Sequence, residues 1–243
     1  MAEAGVADDV DYLFGMHLGF LAGGGDTFIC GTDGFLATTK IDADFHGVPA
    51  HAGAAPQEGR NALLAAANAA VNLHAISRHA AGVSRINVGV LEAGSGRNVI
   101  AEKAVLKLET RGETSAINSF MQEEALRIIQ GAAAMQGVSV KIHEMGGAAG
   151  GQSDASISTY LRQAAERSGL FSTIIDKGSL GASEDFTCFL ERVQNRGGQG
   201  GYAMIGINRS AGHHDGGFDF DEAALGNAVT VLALTVLDLL HLQ

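Results

Sequence analysis

Between residues 38 and 145 the spacing of apolar positions changes in a fixed order, and that order limits the folds available. "DTFICGTDGFLATTKIDADFHG" alternates in places around the turn residues Gly31–Gly34 and predicts two strands. "QEGRNALLAAANAAVNLHAISRHA" predicts a helix with Leu63, Ala66, Ala70, Leu73 and Ile76 along one stripe. "SRINVGVLEA" and "KAVLKLETRGE" alternate as strands on either side of "GSGRN". "SAINSFMQEEALRIIQGAAAMQG" predicts a second amphipathic helix that stops at Gly137, and "VSVKIHEM" another strand. Strand, helix, strand, strand, helix, strand is the split βαβ order, an α+β ferredoxin-like unit of the size of a small domain.

The flanks read differently. "YLFGMHLGF" predicts a buried strand with His17 inside it. After the glycine run at 146–151, "ASISTYLRQAAERSG" predicts a helix and "FSTIIDKG" a short strand. "SEDFTCFLERVQ" predicts a helix with Ser183 as N-cap and Glu184 and Asp185 in its first turn. "YAMIGI" predicts a buried strand, and the chain closes on an apolar helix with Asp221 as candidate N-cap. Neither flank makes a sheet by itself. Residues 1–37 and 146–243 therefore read as one α/β domain into which 38–145 is inserted.

Several function classes fall away. A net charge of −11 excludes the basic face of a nucleic-acid binder. No apolar run reaches the roughly 18 residues of a membrane span, and no basic region precedes an apolar one at the start. Two cysteines, Cys30 and Cys188, give no disulfide framework, which points to a reducing, cytoplasmic setting. HExxH, CxxC, GxSxG and phosphate-loop patterns are all missing, and "GSGRNV" has the wrong spacing for a dinucleotide fingerprint.

The remaining candidates each carry a plain alternative. "AGHHDGGFDFDE" sets His213 and His214 beside carboxylates, but two histidines fall short of the three or four protein ligands of a zinc site. His17 in its apolar strand reads as a core histidine bonded to a backbone carbonyl. His51, in "HGVPAHAGAAP", lies on a turn, where function concentrates. Asn98 fits ordinary turn chemistry. Arg111 ends an apolar strand, where a guanidinium reaches solvent or clasps a carboxylate.

Four stretches taken together resemble one family: "DDVDYLFGMHLG", "GVPAHAGAAPQEGRNALLAAANAAVNLHAI", "INVGVLEAGSGRNVI…LETRGE" and "GASEDF…GHHDGGFDFDEAAL". Their order and spacing resemble the zinc-dependent amidohydrolases and carboxypeptidases, the family of aminoacylase, carboxypeptidase G and the auxin-conjugate hydrolases. The resemblance implies a catalytic α/β domain (phosphorylase/hydrolase-like), only part of which this chain would hold, interrupted by a lid or dimerisation domain. It implies two metal ions, zinc or manganese, with His17 and His214 as ligands. His214 stands four residues before Phe218 and seven before Asp221, as the last ligand does in the family.

The resemblance further implies that His51 polarises the scissile carbonyl in the partner subunit's site. Asn98 and Ser183 would contact the substrate, and Arg111 would hold its carboxylate. The expected substrate is an N-acyl amino acid such as aminobenzoyl-glutamate. The expected assembly is a homodimer through the lid, and a further expected partner is a second hydrolase subunit. "MAEAGVADDVD" resembles the segment just after the family's Glu pair. On that footing the first two metal ligands and the general base are missing, metal binding is weak or absent, and the chain is inactive alone. The competing expectation is a non-catalytic dimerisation or binding module that pairs through an edge strand.

Overall fold

The apolar run near the start forms strand β1 (Tyr12–Leu18). The stretch expected to give two strands gives three: β2 (Thr27–Ile29), β3 (Thr32–Asp33) and β4 (Ala37–His46). β2 and β3 are too short for alternation to show in sequence; their partners come from far along the chain. The computed structural model describes residues 1–19, 24–208, 210–212 and 215–240. It separates into two units, Leu36–Ala148 and Met1–Phe35 with Ala149–Gln243.

In the Leu36–Ala148 unit, β4 is followed by helix α1 (Ala62–His74), strands β5 (Ser84–Ala93) and β6 (Lys103–Gly112), helix α2 (Ser115–Gln136) and strand β7 (Ser139–Ala148). The sheet order is β5-β6-β4-β7, antiparallel throughout. Local chemistry sets the helix ends. The Asn61 side chain accepts from the Leu64 amide, and Thr114 from the Ile117 amide. Gly137, at φ 63°, takes the left-handed turn that ends α2.

Both helices pack on one face of the sheet, where Ile41, Phe45, Leu73, Leu106, Met121 and Ile129 are buried. The stripe expected on α1 holds at Ala66, Leu73 and Ile76 but not at Leu63. Ala62, Ala65, Ala66, Ala69 and Leu73 are buried, whereas Leu63 is 38% exposed. An alanine face allows the close approach that α2 requires, and it turns Leu63 and Leu64 outward. A polar network pins α2 to the sheet inside this core. Asn118 Nδ2 donates to Thr39 Oγ1 (2.8 Å), Thr110 Oγ1 donates to Asn118 Oδ1 (2.9 Å), and Thr38 Oγ1 donates to the Thr110 carbonyl (2.9 Å).

The other unit holds helix α3 (Ala155–Ser168), short strands β8 (Thr173–Ile175) and β9 (Gly178–Ser179), helix α4 (Phe186–Asn195), strand β10 (Gln199–Ile205) and helix α5 (Ala223–Leu239). Its main sheet runs β1-β10-β2-β8; β1 is parallel to β10, and β2 pairs antiparallel with β10 and parallel with β8. β3 and β9 pair separately. Phe28, Ile157, Leu161, Ala203, Ile205 and Val231 are buried together on one side, beneath α3 and α5.

Two expected caps are corrected or refined. Asp185, not Ser183, occupies the N-cap position of α4, because the helix begins two residues later than the Ser-Glu-Asp pattern predicts. Asp221 Oδ1 accepts from the Ala223 amide at 2.9 Å at the start of α5, although Glu222 holds the cap position. The first residues are tied to α4 by a two-pronged ion pair between Asp8 and Arg192, with Arg196 Nε donating to the Asp8 carbonyl at 3.1 Å. Among the described residues no helix is long and apolar enough to cross a membrane.

Candidate functional site

His51 and Asn98 lie on an arm that continues the β4–β6 ladder beyond its regular end. Gly47 N donates to the Glu102 carbonyl (2.7 Å), Ile100 N to Ala50 (2.9 Å) and Ala52 N to Asn98 (2.9 Å), and His51 pairs with Val99. The arm starts at Gly47 because only glycine fits there: a Cβ would sit 2.0 Å from the Arg60 carbonyl oxygen. His51 and Asn98 are both exposed. The His51 Nδ1 accepts the amides of Gly53 (3.2 Å) and Ala54 (3.1 Å).

Arg111 is at the opposite end of β6, opposite Thr38 on β4 and Arg85 on β5. Its Nε donates to Glu109 Oε1 at 2.9 Å. The eight residue steps along the strand from Lys103 to Arg111 span about 27 Å. A dipeptide-sized conjugate spans roughly 10 Å. Within this unit, then, His51 and Asn98 come together and Arg111 stands apart from them.

In the other unit, side chains alternate along β1. Phe14, Met16 and Leu18 pack toward α3 and α5, so Gly15 and His17 face the opposite side. That side carries Phe35, Tyr202, Met204 and Phe186. Gly15 is bare because a Cβ there would meet Tyr202 Cδ2 at 2.6 Å and the Phe186 ring at 2.8 Å. The Tyr202 ring packs edge-on against Phe35 and tilted against Phe186. Its hydroxyl donates to Glu184 Oε2 at 3.0 Å. Burial, then the Glu184 charge, pushes the phenol up, so it stays a protonated donor. Ser183 Oγ is buried and has no hydrogen-bond partner among the described residues. Sequence reasoning missed Tyr202, since a tyrosine inside an apolar strand reads as core.

His17 Nδ1 lies 2.8 Å from the Leu18 carbonyl oxygen. A carbonyl only accepts, so the neutral ring carries its proton on Nδ1 and its lone pair on Nε2. That is the tautomer of a metal-ligating histidine whose other nitrogen is anchored to a backbone carbonyl. His213 and His214 lie outside the described residues. Among the described residues no group of three or more His, Cys, Asp or Glu side chains could hold a metal ion. His17 thus has a tautomer compatible with ligation, and among the described residues no further donors complete a metal-binding set.

Residues 36–135 match the model of the M20 peptidase dimerisation domain. Across 98% of its length the chain is 51% identical to indole-3-acetyl-aspartic acid hydrolase of Enterobacter agglomerans and 48% identical to a p-aminobenzoyl-glutamate hydrolase subunit of Escherichia coli K12. The chain carries an M20 peptidase dimerisation domain. A crystal structure of an aminobenzoyl-glutamate utilization protein from Klebsiella pneumoniae superposes with a TM-score of 0.88 at 44% identity, over 98% of this chain and 57% of that one. A Bacillus subtilis protein described as a dinuclear metal-binding M20 peptidase shares the fold, with a TM-score of 0.68 at 20% identity. The chain spans 55% of the length of each of the two curated relatives. The chain is a mixed α/β protein whose named relatives are hydrolases.

Proposed function

We propose that this chain belongs to a metal-dependent amidohydrolase that cuts the amide between an aromatic acyl group and an acidic amino acid. The names of the two relatives near 50% identity share that chemistry: aminobenzoyl to glutamate, and indole-acetyl to aspartate. His17 and His214 are the proposed ligands for zinc or manganese. Such an ion would polarise the scissile carbonyl and lower the pKa of a bound water. Two histidines are too few for a tight site, so the chain as it stands binds metal weakly and turns over slowly or not at all. Ser183 Oγ, a buried hydroxyl without a partner among the described residues, is poised to donate to the substrate. His51 donates to the scissile carbonyl, Asn98 contacts the substrate beside it, and Arg111 holds its carboxylate.

The observation that carries the reading is the separation of Arg111 from His51 and Asn98. No small conjugate reaches both within one copy of the unit. The three residues serve one substrate only if the arm comes from a second copy, which supports a homodimer through residues 36–148, the proposed dimerisation domain. Static light scattering at micromolar concentration tests this, and a monomer there sinks the reading. Incubation with p-aminobenzoyl-glutamate and zinc or manganese tests the chemistry. Rapid release of 4-aminobenzoate by the chain alone would contradict the low activity, and stoichiometric metal retained through dialysis would contradict the weak site.

A further inference from the structure

The arm carrying His51 does more than expose it. The Gly53 and Ala54 amides both point at Nδ1, at 3.2 and 3.1 Å. Ala55 N donates to the His51 carbonyl at 3.0 Å, closing the turn that aims them. A backbone N–H only donates, so Nδ1 must hold a lone pair, and a neutral imidazole then carries its proton on Nε2. The geometry points to a tautomer lock: Gly53 and Ala54 are positioning residues that present His51 as an Nε2–H donor to an acceptor oxygen, such as an amide carbonyl. His17 is anchored the opposite way, through Nδ1–H to the Leu18 carbonyl. The lock rests on the proposed role of His51 and adds how its backbone fixes that role. It also excludes a general-base role for the Nδ1 nitrogen, which is occupied from both amides.

Nuclear magnetic resonance on the full chain, uniformly labelled with nitrogen-15 and held at mildly alkaline pH where imidazoles are neutral, tests the lock directly. Scalar couplings across the hydrogen bonds are expected from the Gly53 and Ala54 amides to His51 Nδ1. The ring should show Nδ1 as a pyridine-type nitrogen and Nε2 as a pyrrole-type one. Missing couplings together with a proton on Nδ1 would overturn the proposal. Ala54→Pro removes one donor. In a folded variant the Gly53 coupling should persist while the ring shifts move toward those of free imidazole; unchanged ring shifts would refute the lock. If that variant does not fold, the couplings in the unmodified chain still decide. Titration with p-aminobenzoyl-glutamate separates the two levels. Shifts at His51 Nε2 are expected; intact couplings without such shifts would overturn the functional role and leave the lock standing.

Discussion

Asn118 offers the sharpest test of how α2 is held on its sheet. The residue is 6% exposed and bridges two threonines, donating to Thr39 Oγ1 and accepting from Thr110 Oγ1. In Asn118→Ala, Thr39 keeps its longer contact with Gln122 Oε1 (3.4 Å), but the fully buried Thr110 hydroxyl loses its acceptor. Two hydrogen bonds at about 1 kcal/mol each, plus about 1–2 kcal/mol for a stranded buried donor, give a loss of about 3–4 kcal/mol. Because the chain has two units, a single global melting curve is ambiguous. Native-state amide exchange at Thr110 and its β6 neighbours reports the inserted unit alone. Thr110→Val removes the stranded donor while keeping the shape, so the Asn118→Ala/Thr110→Val double variant should lose at least about 1 kcal/mol less than the sum of the single variants. Strict additivity would show that the network carries no coupling energy and would refute the reasoning.

Gly47→Ala should destabilise the His51 arm by about 1–3 kcal/mol through the clash with the Arg60 carbonyl, seen as faster exchange at the Ile100 and Ala52 amides. Arg192 holds the Asp8 carboxyl below its usual value of 3.8. A carboxylate with a depressed folded pKa stabilises above the unfolded value and loses that contribution as pH falls through the folded one. The stability gap between the unmodified chain and Asp8→Asn, read by urea titration, should therefore be present at pH 5 and shrink on acidification below 3.8. Cys30 is fully buried, and burial pushes its thiol up to about 11. Alkylation at pH 8 followed by mass spectrometry should leave Cys30 unmodified until urea is added.

Much of the inserted unit was legible because its signals are local. Thr114 and Gly137 bracket α2, and β5 and β6 alternate over ten residues each. The short strands were not legible, because β2, β3 and β9 exist only through partners far along the chain. The α1 stripe held at Ala66, Leu73 and Ile76 but was misjudged at Leu63, because hydrophobicity favours Leu63 whereas close helix packing selects Ala65 and Ala69. Ser183 looked like a cap from composition, but the backbone gives that place to Asp185. In the candidate site, the bond of His17 to a backbone carbonyl was readable from its apolar strand, although the residue is half-buried and not in the core. The tautomers of His17 and His51 depend on which backbone group each ring meets, and no residue spacing encodes that.

The two crossings into the Leu36–Ala148 unit run side by side: Phe35 bridges to Gly151, and Thr38 pairs with Ala148. Paired antiparallel residues stand about 5 Å apart, so the whole excursion begins and ends at nearly one point. Closing that gap with a short turn costs little chain entropy, and so does opening it to admit a hundred-residue module. The junction thus has the geometry of a graft point, where a module could be exchanged without re-threading the host sheet.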